Sequence, residues 1–354
     1  MKTFLSTSGT QIVLDSTPIR LIGFCFGNEV WERHDPPATH HSEKDYEWLK
    51  NMGLNVVRFY IHHQTIETQA GWHWIDQNVE WARNHGIYLI LNLHIAPGGF
   101  QSLGDGDGLW GSEENQNQFV SFWKRMAERY KDETQVAGYA LLNEPVPSES
   151  VEQWVTLADR TAKEIRKVDQ HHILFLERAF YAKAANLPND NLNFPVIDDS
   201  NVVYEFHTYQ PYEYTHQGFE WTGIVDGGNY PDEQRTEYVN DSNGFDNTSS
   251  IQYQRNKAYL RASIDQYIDW GNRHQVPVYM GEFGTSIFSY RDDKGGASWM
   301  KDVLDIADEH QLNFTCHAYH ENEAYGLFFD GSQLPTEDNC NKAMRELFKR
   351  YQLL

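Results

Sequence analysis

Eight short apolar runs recur along this chain, and most are followed by a stretch whose apolar positions fall at helical spacing. The runs are Ile19–Phe24, Asn55–Ile61, Ile87–His94, Ala137–Glu144, His171–Glu177, Asn201–His207, Val276–Phe283 and Leu312–Tyr319. Apolar runs without polar alternation are strands covered on both faces, as in a parallel sheet flanked by helices. Strand-then-helix units with no break in composition predict one α/β domain over residues 1–354, a single (β/α)8 TIM barrel. The fifth unit is the weakest. In such a barrel, reacting groups collect at the carboxyl ends of the strands.

Before the barrel, Gln11–Asp15 and the segment after Pro18 predict a short N-terminal β-hairpin. Ser42 is placed to cap a first helix, with Asp45 at its third position and Tyr46, Leu49 and Met52 on one face. Trp72, Ile75, Val79 and Ala82 mark a second helix ended by Gly86. Helices are further expected over Asn115–Tyr130, Glu149–Val168, Tyr253–His274, Ala297–Glu309 and Asp338–Gln352. Two connections exceed ordinary turns, residues 96–114 after the third strand and 208–250 after the sixth. In the first, Asp105-Gly-Asp107-Gly lacks the remaining ligands of a calcium loop and reads as a turn.

Two runs end in a carboxylate of the same form, ALLNEP at Glu144 and YMGEFG at Glu282. Two carboxylates delivered by buried strands suit acid/base or nucleophilic work on an acetal. Other polar residues fall at strand ends too: Arg58, His94, Asn143, His207, Tyr209, His317 and Tyr319. The formal net charge of -22 excludes nucleic acid as a partner, since nothing here neutralises a run of phosphates. Aromatic residues make up 14% of the chain, more than a core needs, so some are expected to face a cleft where sugar rings stack. Trp123 belongs to a helix's inward face and is assigned to the core. Cys25, Cys316 and Cys340 imply no disulfide framework and read as buried thiols, although the first two lie on strands that a closed barrel makes neighbours. The N-terminal residues contain no secretory core, and no run is long enough to span a bilayer. A cytoplasmic chain, or a secreted one whose signal is not in this sequence, is expected, with no membrane partner.

Taken together and in order, NVVRFYI, LNLHIAPGG, ALLNEP, EFHTY and YMGEFG resemble glycoside hydrolase family 5 over essentially the whole chain. The resemblance implies a retaining glycosidase of the cellulase-like clan, with Glu144 as general acid/base and Glu282 as nucleophile. It further implies that Asn143 binds the sugar 2-hydroxyl, that Arg58 and Tyr209 hold Glu282, and that His94 and His207 serve sugar binding and the acid/base. One departure is plain. Family members commonly carry Trp at the end of strand eight, where this chain has His317; Trp110 and Trp299 are the candidates to replace that platform, and Tyr319 completes the strand end. No cofactor or metal is implied, and an oligo- or polysaccharide is the expected partner of a monomer. The activity implied is endo-β-1,4-glucanase on cellulose-like or mixed-linkage β-glucan, with exo-β-1,3-glucanase, β-glucosidase and β-mannanase as alternatives on the same scaffold. Two readings from other classes are a metal-dependent barrel hydrolase, which needs His94, His207 and His317 to converge on zinc, and a non-catalytic carbohydrate-binding barrel, which would not need both carboxylates.

Overall fold

The computed structural model describes residues 2–35, 41–102, 106–180, 191–240, 247–320, 325–328 and 335–351. Eight parallel strands close into a barrel: β1 (Ile22–Phe26), β2 (Val56–His62), β3 (Tyr88–Ile95), β4 (Val136–Ala140), β5 (Ile173–Glu177), β6 (Val202–Thr208), β7 (Val278–Phe283) and β8 (Asn313–Cys316). Each pairs with its sequence neighbours, and β8 returns to β1. The helices are α1 (Glu43–Asn51), α2 (Gln69–His85), α3 (Glu113–Tyr130), α4 (Val151–Arg166), α5 (Lys257–His274), α6 (Gly296–Glu309) and α7 (Lys342–Phe348). Among the described residues no helix joins β5 to β6.

Strand residues alternate between two cores, as a pleated strand requires. In β2, Val57, Phe59 and Ile61 pack outward under the helices, while Val56, Arg58 and Tyr60 point into the barrel. In β5, Ile173 and Phe175 face inward, followed two residues later by Glu177; in β6, Val203 faces inward, followed by Glu205 and His207. The interior is therefore apolar at one end and polar at the other. The amino-terminal strands Leu5–Ser8, Gln11–Leu14 and Thr17–Pro18 form a three-stranded antiparallel sheet, larger than the hairpin expected. Its Leu5 and Ile12 join Val56, Ile90, Ile173 and Val203 in one cluster and close the apolar end.

Local chemistry sets the helix ends. Ser42 and Asp45 form a reciprocal capping box on α1, Thr68 accepts the Gly71 N–H at the start of α2, and Gly86 ends α2 at φ 67°. Asn256 caps α5, so that helix begins at Lys257 and not at Tyr253, which lies in an antiparallel ribbon of Asp232–Asn240 with Asn247–Arg255. Three buried indoles fix the polar end of the barrel. Trp123 Nε1 of α3 donates to Leu141 O, Trp154 Nε1 of α4 to Glu177 O, and Trp299 Nε1 of α6 to Gln210 O. The three cysteines are buried and free, and no helix among the described residues is long and apolar enough to cross a membrane.

Candidate active site

The carboxyl ends of the strands surround a cleft of about 360 Å³, lined in part by His94, Asn143, Glu144, Tyr209, Glu282 and His317. Glu282 reaches it through an irregularity in β7. Tyr279 faces inward and Met280 outward, so strict alternation would turn Glu282 away from the mouth. The register shifts between Met280 and Glu282, leaving Gly281 as the extra residue of a bulge that returns Glu282 to the inside. A Cβ on Gly281 would lie 1.8 Å from Glu205 Oε1, so the approach of that carboxyl also requires glycine.

Both oxygens of Glu282 are held. Oε1 accepts from Arg58 Nη1 at 2.7 Å and from the Tyr60 hydroxyl; Oε2 accepts from the Tyr209 hydroxyl at 2.9 Å. Burial alone would raise this carboxyl, but the cations of His207 and Arg58 outweigh it and hold Glu282 well below the usual carboxylate range. Arg58 is fully buried and extends its fork further, with Nη2 donating to Asn143 Oδ1 at 3.0 Å and Nε 2.7 Å from Glu205 Oε1.

Glu144 follows β4 at φ 42°, the left-handed region that a residue with a side chain seldom occupies. Its N–H donates to Glu177 Oε2 at 2.9 Å, and its Oε1 lies 2.9 Å from His207 Nδ1. One carboxylate oxygen of Glu144, one of Glu282 and one His207 nitrogen lie within 4.8 Å of one another. His207 Nε2 is 3.3 Å from Glu205 Oε1 and 3.4 Å from Glu177 Oε2. Burial opposes a charge on His207, yet Glu177, Glu282, Glu144 and Glu205 together raise its pKa well above the ordinary imidazole value. Burial, partly countered by His207, raises Glu177 well above its ordinary value.

His94 and His317 are both lowered, first of all by burial. His94 stacks on Tyr60 with ring centroids 4.0 Å apart, and His317 Nδ1 lies 3.3 Å from the Tyr60 hydroxyl. Two expected site residues lie elsewhere. Tyr319 is buried behind β8, its hydroxyl donating to Asp45 Oδ1 at 2.9 Å, because the strand ends at Cys316 and the chain turns toward α1. Trp110 ends a one-turn helix, Asp107–Trp110, where its indole donates to Gln101 Oε1 at 2.8 Å inside the core. Trp299 is likewise enclosed, bonded to Gln210. The indoles that do open on the cleft are Trp31, 42% exposed, and Trp221, 47% exposed.

Trp31 stands nearly perpendicular to Tyr60, His94 and His317, at 77°, 83° and 79°. Trp221 lies parallel to Phe219 in the connection after β6. Sequence reading missed both indoles, along with Tyr60, Glu177 and Glu205. The last three were findable: counting two residues on from Arg58 gives Tyr60, counting two back from His207 gives Glu205, and Glu177 ends the fifth run. His94, His207 and His317 do not form a metal triad among the described residues; the close groups there are Glu144–His207–Glu282 and Glu177–Glu205–His207. Asp105 of the candidate calcium turn lies outside the described residues.

Comparison with known proteins adds the following. Residues 15–323 match the family model for cellulase, glycosyl hydrolase family 5. Endoglucanase C of Acetivibrio thermocellus is 28% identical over 287 residues, 77% of this chain and 81% of its own length. Cellodextrinase A of Ruminococcus flavefaciens is 26% identical over 281 residues, 77% of each chain. In three dimensions, endoglucanase Cel5A from the hyperthermophilic Thermotoga maritima superposes with a TM-score of 0.71 over 93% of this chain and 96% of its own, at 20% identity.

Proposed function

The chain belongs to the cellulase family, glycosyl hydrolase family 5, and is a glycoside hydrolase; we propose that it is a retaining endo-β-1,4-glucanase in which Glu144 and Glu282 carry the reaction. The observation that carries this reading is the Glu144–Glu282 pair, with facing oxygens within 4.8 Å. Retaining glycosidases keep their carboxyl groups at about 5–5.5 Å, whereas inverting ones leave about 6.5–9.5 Å for a water.

In the first step Glu144 gives its proton to the glycosidic oxygen as the bond to the anomeric carbon breaks. Glu282 attacks that carbon and forms a glycosyl-enzyme ester. In the second, Glu144 takes a proton from water, the water attacks the same carbon, and Glu282 leaves as a carboxylate. Arg58, Tyr60 and Tyr209 suit the nucleophile's task, keeping it ionised and fixing both its oxygens. With Asn143 Oδ1 engaged by Arg58, the Asn143 amide N–H is the group placed to donate to the sugar 2-hydroxyl. A cationic His207 beside Glu144 returns charge balance once that proton has left.

Trp31 follows β1 and Trp221 follows β6, and both line the cleft. Two indoles in the same cleft as the carboxyl pair suit the binding of more than one sugar of a chain. Trp31, next to His317, takes the part of the platform absent from strand eight. The names of the two relatives favour β-1,4-linked glucan within this scaffold.

The test is hydrolysis of a panel of β-glucans and β-mannan scored by product length. Mixed short oligosaccharides from β-1,4-glucan are expected, with Glu282→Gln inactive and Glu144→Gln active only on substrates with activated leaving groups. Release of glucose alone, or activity confined to β-1,3-glucan or mannan, would overturn the specificity. Full activity of either variant on natural glucan would overturn the catalytic assignment.

A further inference from the structure

Beneath the two reacting carboxyls lies a second buried pair, Glu177 on β5 and Glu205 on β6, which the reaction does not itself consume. An apolar side chain would fill the Glu177 position more cheaply, because a buried carboxyl loses its hydration and must be repaid by partners. Its partners are specific. Glu177 Oε2 accepts the backbone N–H of Glu144 at 2.9 Å and lies 3.4 Å from Nε2 of His207, whose Nδ1 is 2.9 Å from Glu144 Oε1. It thus meets Glu144 by two routes, the peptide at one end and the imidazole at the other. The peptide route matters because Glu144 sits at φ 42°, a conformation that persists only where its surroundings hold it. Glu177 is itself fixed, since Trp154 of α4 donates to its carbonyl oxygen at 2.8 Å.

We propose that Glu177 is a positioning residue for the acid/base: it holds the Glu144 peptide in its left-handed conformation and steadies His207 against the Glu144 carboxyl. This rests on the glycosidase reading above and adds to it a residue that touches no substrate. The groups facing Glu177 are Glu144 from β4, Glu205 and His207 from β6, and Arg58 from β2, whose Nη2 is 3.6 Å away. Loss of this carboxyl group therefore falls first on His207 and the Glu144 peptide, and so on the Glu144 carboxyl. Glu282 lies 3.7 Å from His207 Nδ1, but both its oxygens stay bonded to Arg58, Tyr60 and Tyr209, and it keeps its aim.

The experiment compares kcat/KM on two substrates, cellotetraose, which needs protonation of its leaving group, and 2,4-dinitrophenyl β-cellobioside, which does not. General acid assistance is worth about 100- to 10,000-fold. Glu177→Leu is expected to lose on the order of 100-fold or more on cellotetraose and less than about 5-fold on the aryl glycoside. Glu177→Gln, which keeps an oxygen to accept the Glu144 N–H, should lose less on cellotetraose, hold its KM, and move the alkaline limb of the pH–rate profile. Equal loss on both substrates, or no loss on either, would overturn the inference. Should Glu177→Leu not fold, the split shown by Glu177→Gln between the two substrates and its pH profile decide in the same way. A wild-type protein that cleaves neither substrate removes the glycosidase reading and this inference with it, whereas a wild type that cleaves both beside variants without a split removes the inference alone.

Discussion

Arg58→Met is the perturbation whose cost the structure defines most sharply. The guanidinium is fully buried and lies between Glu282 and Glu205, 2.7 Å from an oxygen of each, with Asn143 on its remaining edge. Methionine fills much of the volume but leaves two buried carboxyls facing no arginine. Breaking one buried pair by removing a single partner costs about 3–5 kcal/mol, because the other charge stays behind without compensation. Unfolding entropy of about 2.1 cal/mol/K per residue over 354 residues amounts to roughly 0.7 kcal/mol/K, so Tm should fall by about 4–7 °C. Glu205→Gln in the same chain removes one stranded charge, and the double variant should therefore be more stable than Arg58→Met alone by about 1–3 kcal/mol. Differential scanning calorimetry on the four proteins of the cycle measures both terms. A Tm for Arg58→Met within 1 °C of wild type (an order-of-magnitude bound from the same entropy), or strictly additive effects in the cycle, would refute the claim that this arginine compensates those carboxyls.

Two further outcomes follow from the same cluster. Gly281→Ala sets a methyl 1.8 Å from Glu205 Oε1 and disturbs the bulge that aims Glu282; overpacking of this kind costs about 1–3 kcal/mol, and turnover should fall far more than stability, read by kcat beside a denaturant melt. Stability should also depend on pH in opposite senses for different groups. Glu282 is lowered on folding, so its contribution is present above about pH 4.3 and is lost as pH falls through its folded value. His207 is raised, so its contribution is complete below about pH 6.5 and is lost as pH rises through its folded value. Urea midpoints from pH 3 to 9 (a window chosen around those reference values) should accordingly show a shallower acid limb in Glu282→Gln, and an unchanged acid limb would contradict it.

The barrel was legible because its strands are buried on both faces and its helices carry end signals in the sequence, as at Ser42 and Gly86. The carboxyl pair was legible because each glutamate ends an apolar run. What lay hidden was local irregularity. The Gly281 bulge cannot be read from alternation, which would have faced Glu282 outward. Tyr319 falls at the end of the eighth apolar run with His317, but β8 stops at Cys316 and the chain leaves the barrel rim. Trp110 lies in the long connection after the third strand, and a single turn of helix folds it inward onto Gln101. Trp31 lies in irregular chain after β1, where no period exists to assign a face. The ribbon of Asp232–Asn240 with Asn247–Arg255 is too polar to announce itself as strands.

The central claim is that Glu282 takes the sugar onto itself before water does. Proton NMR of the newly formed reducing end, followed in the first minutes of cellotetraose hydrolysis before mutarotation, measures this directly. The β-anomer should appear first and the α-anomer only as the solution equilibrates; initial release of the α-anomer would mean a single displacement by water and would contradict the pairing of Glu144 and Glu282 described above.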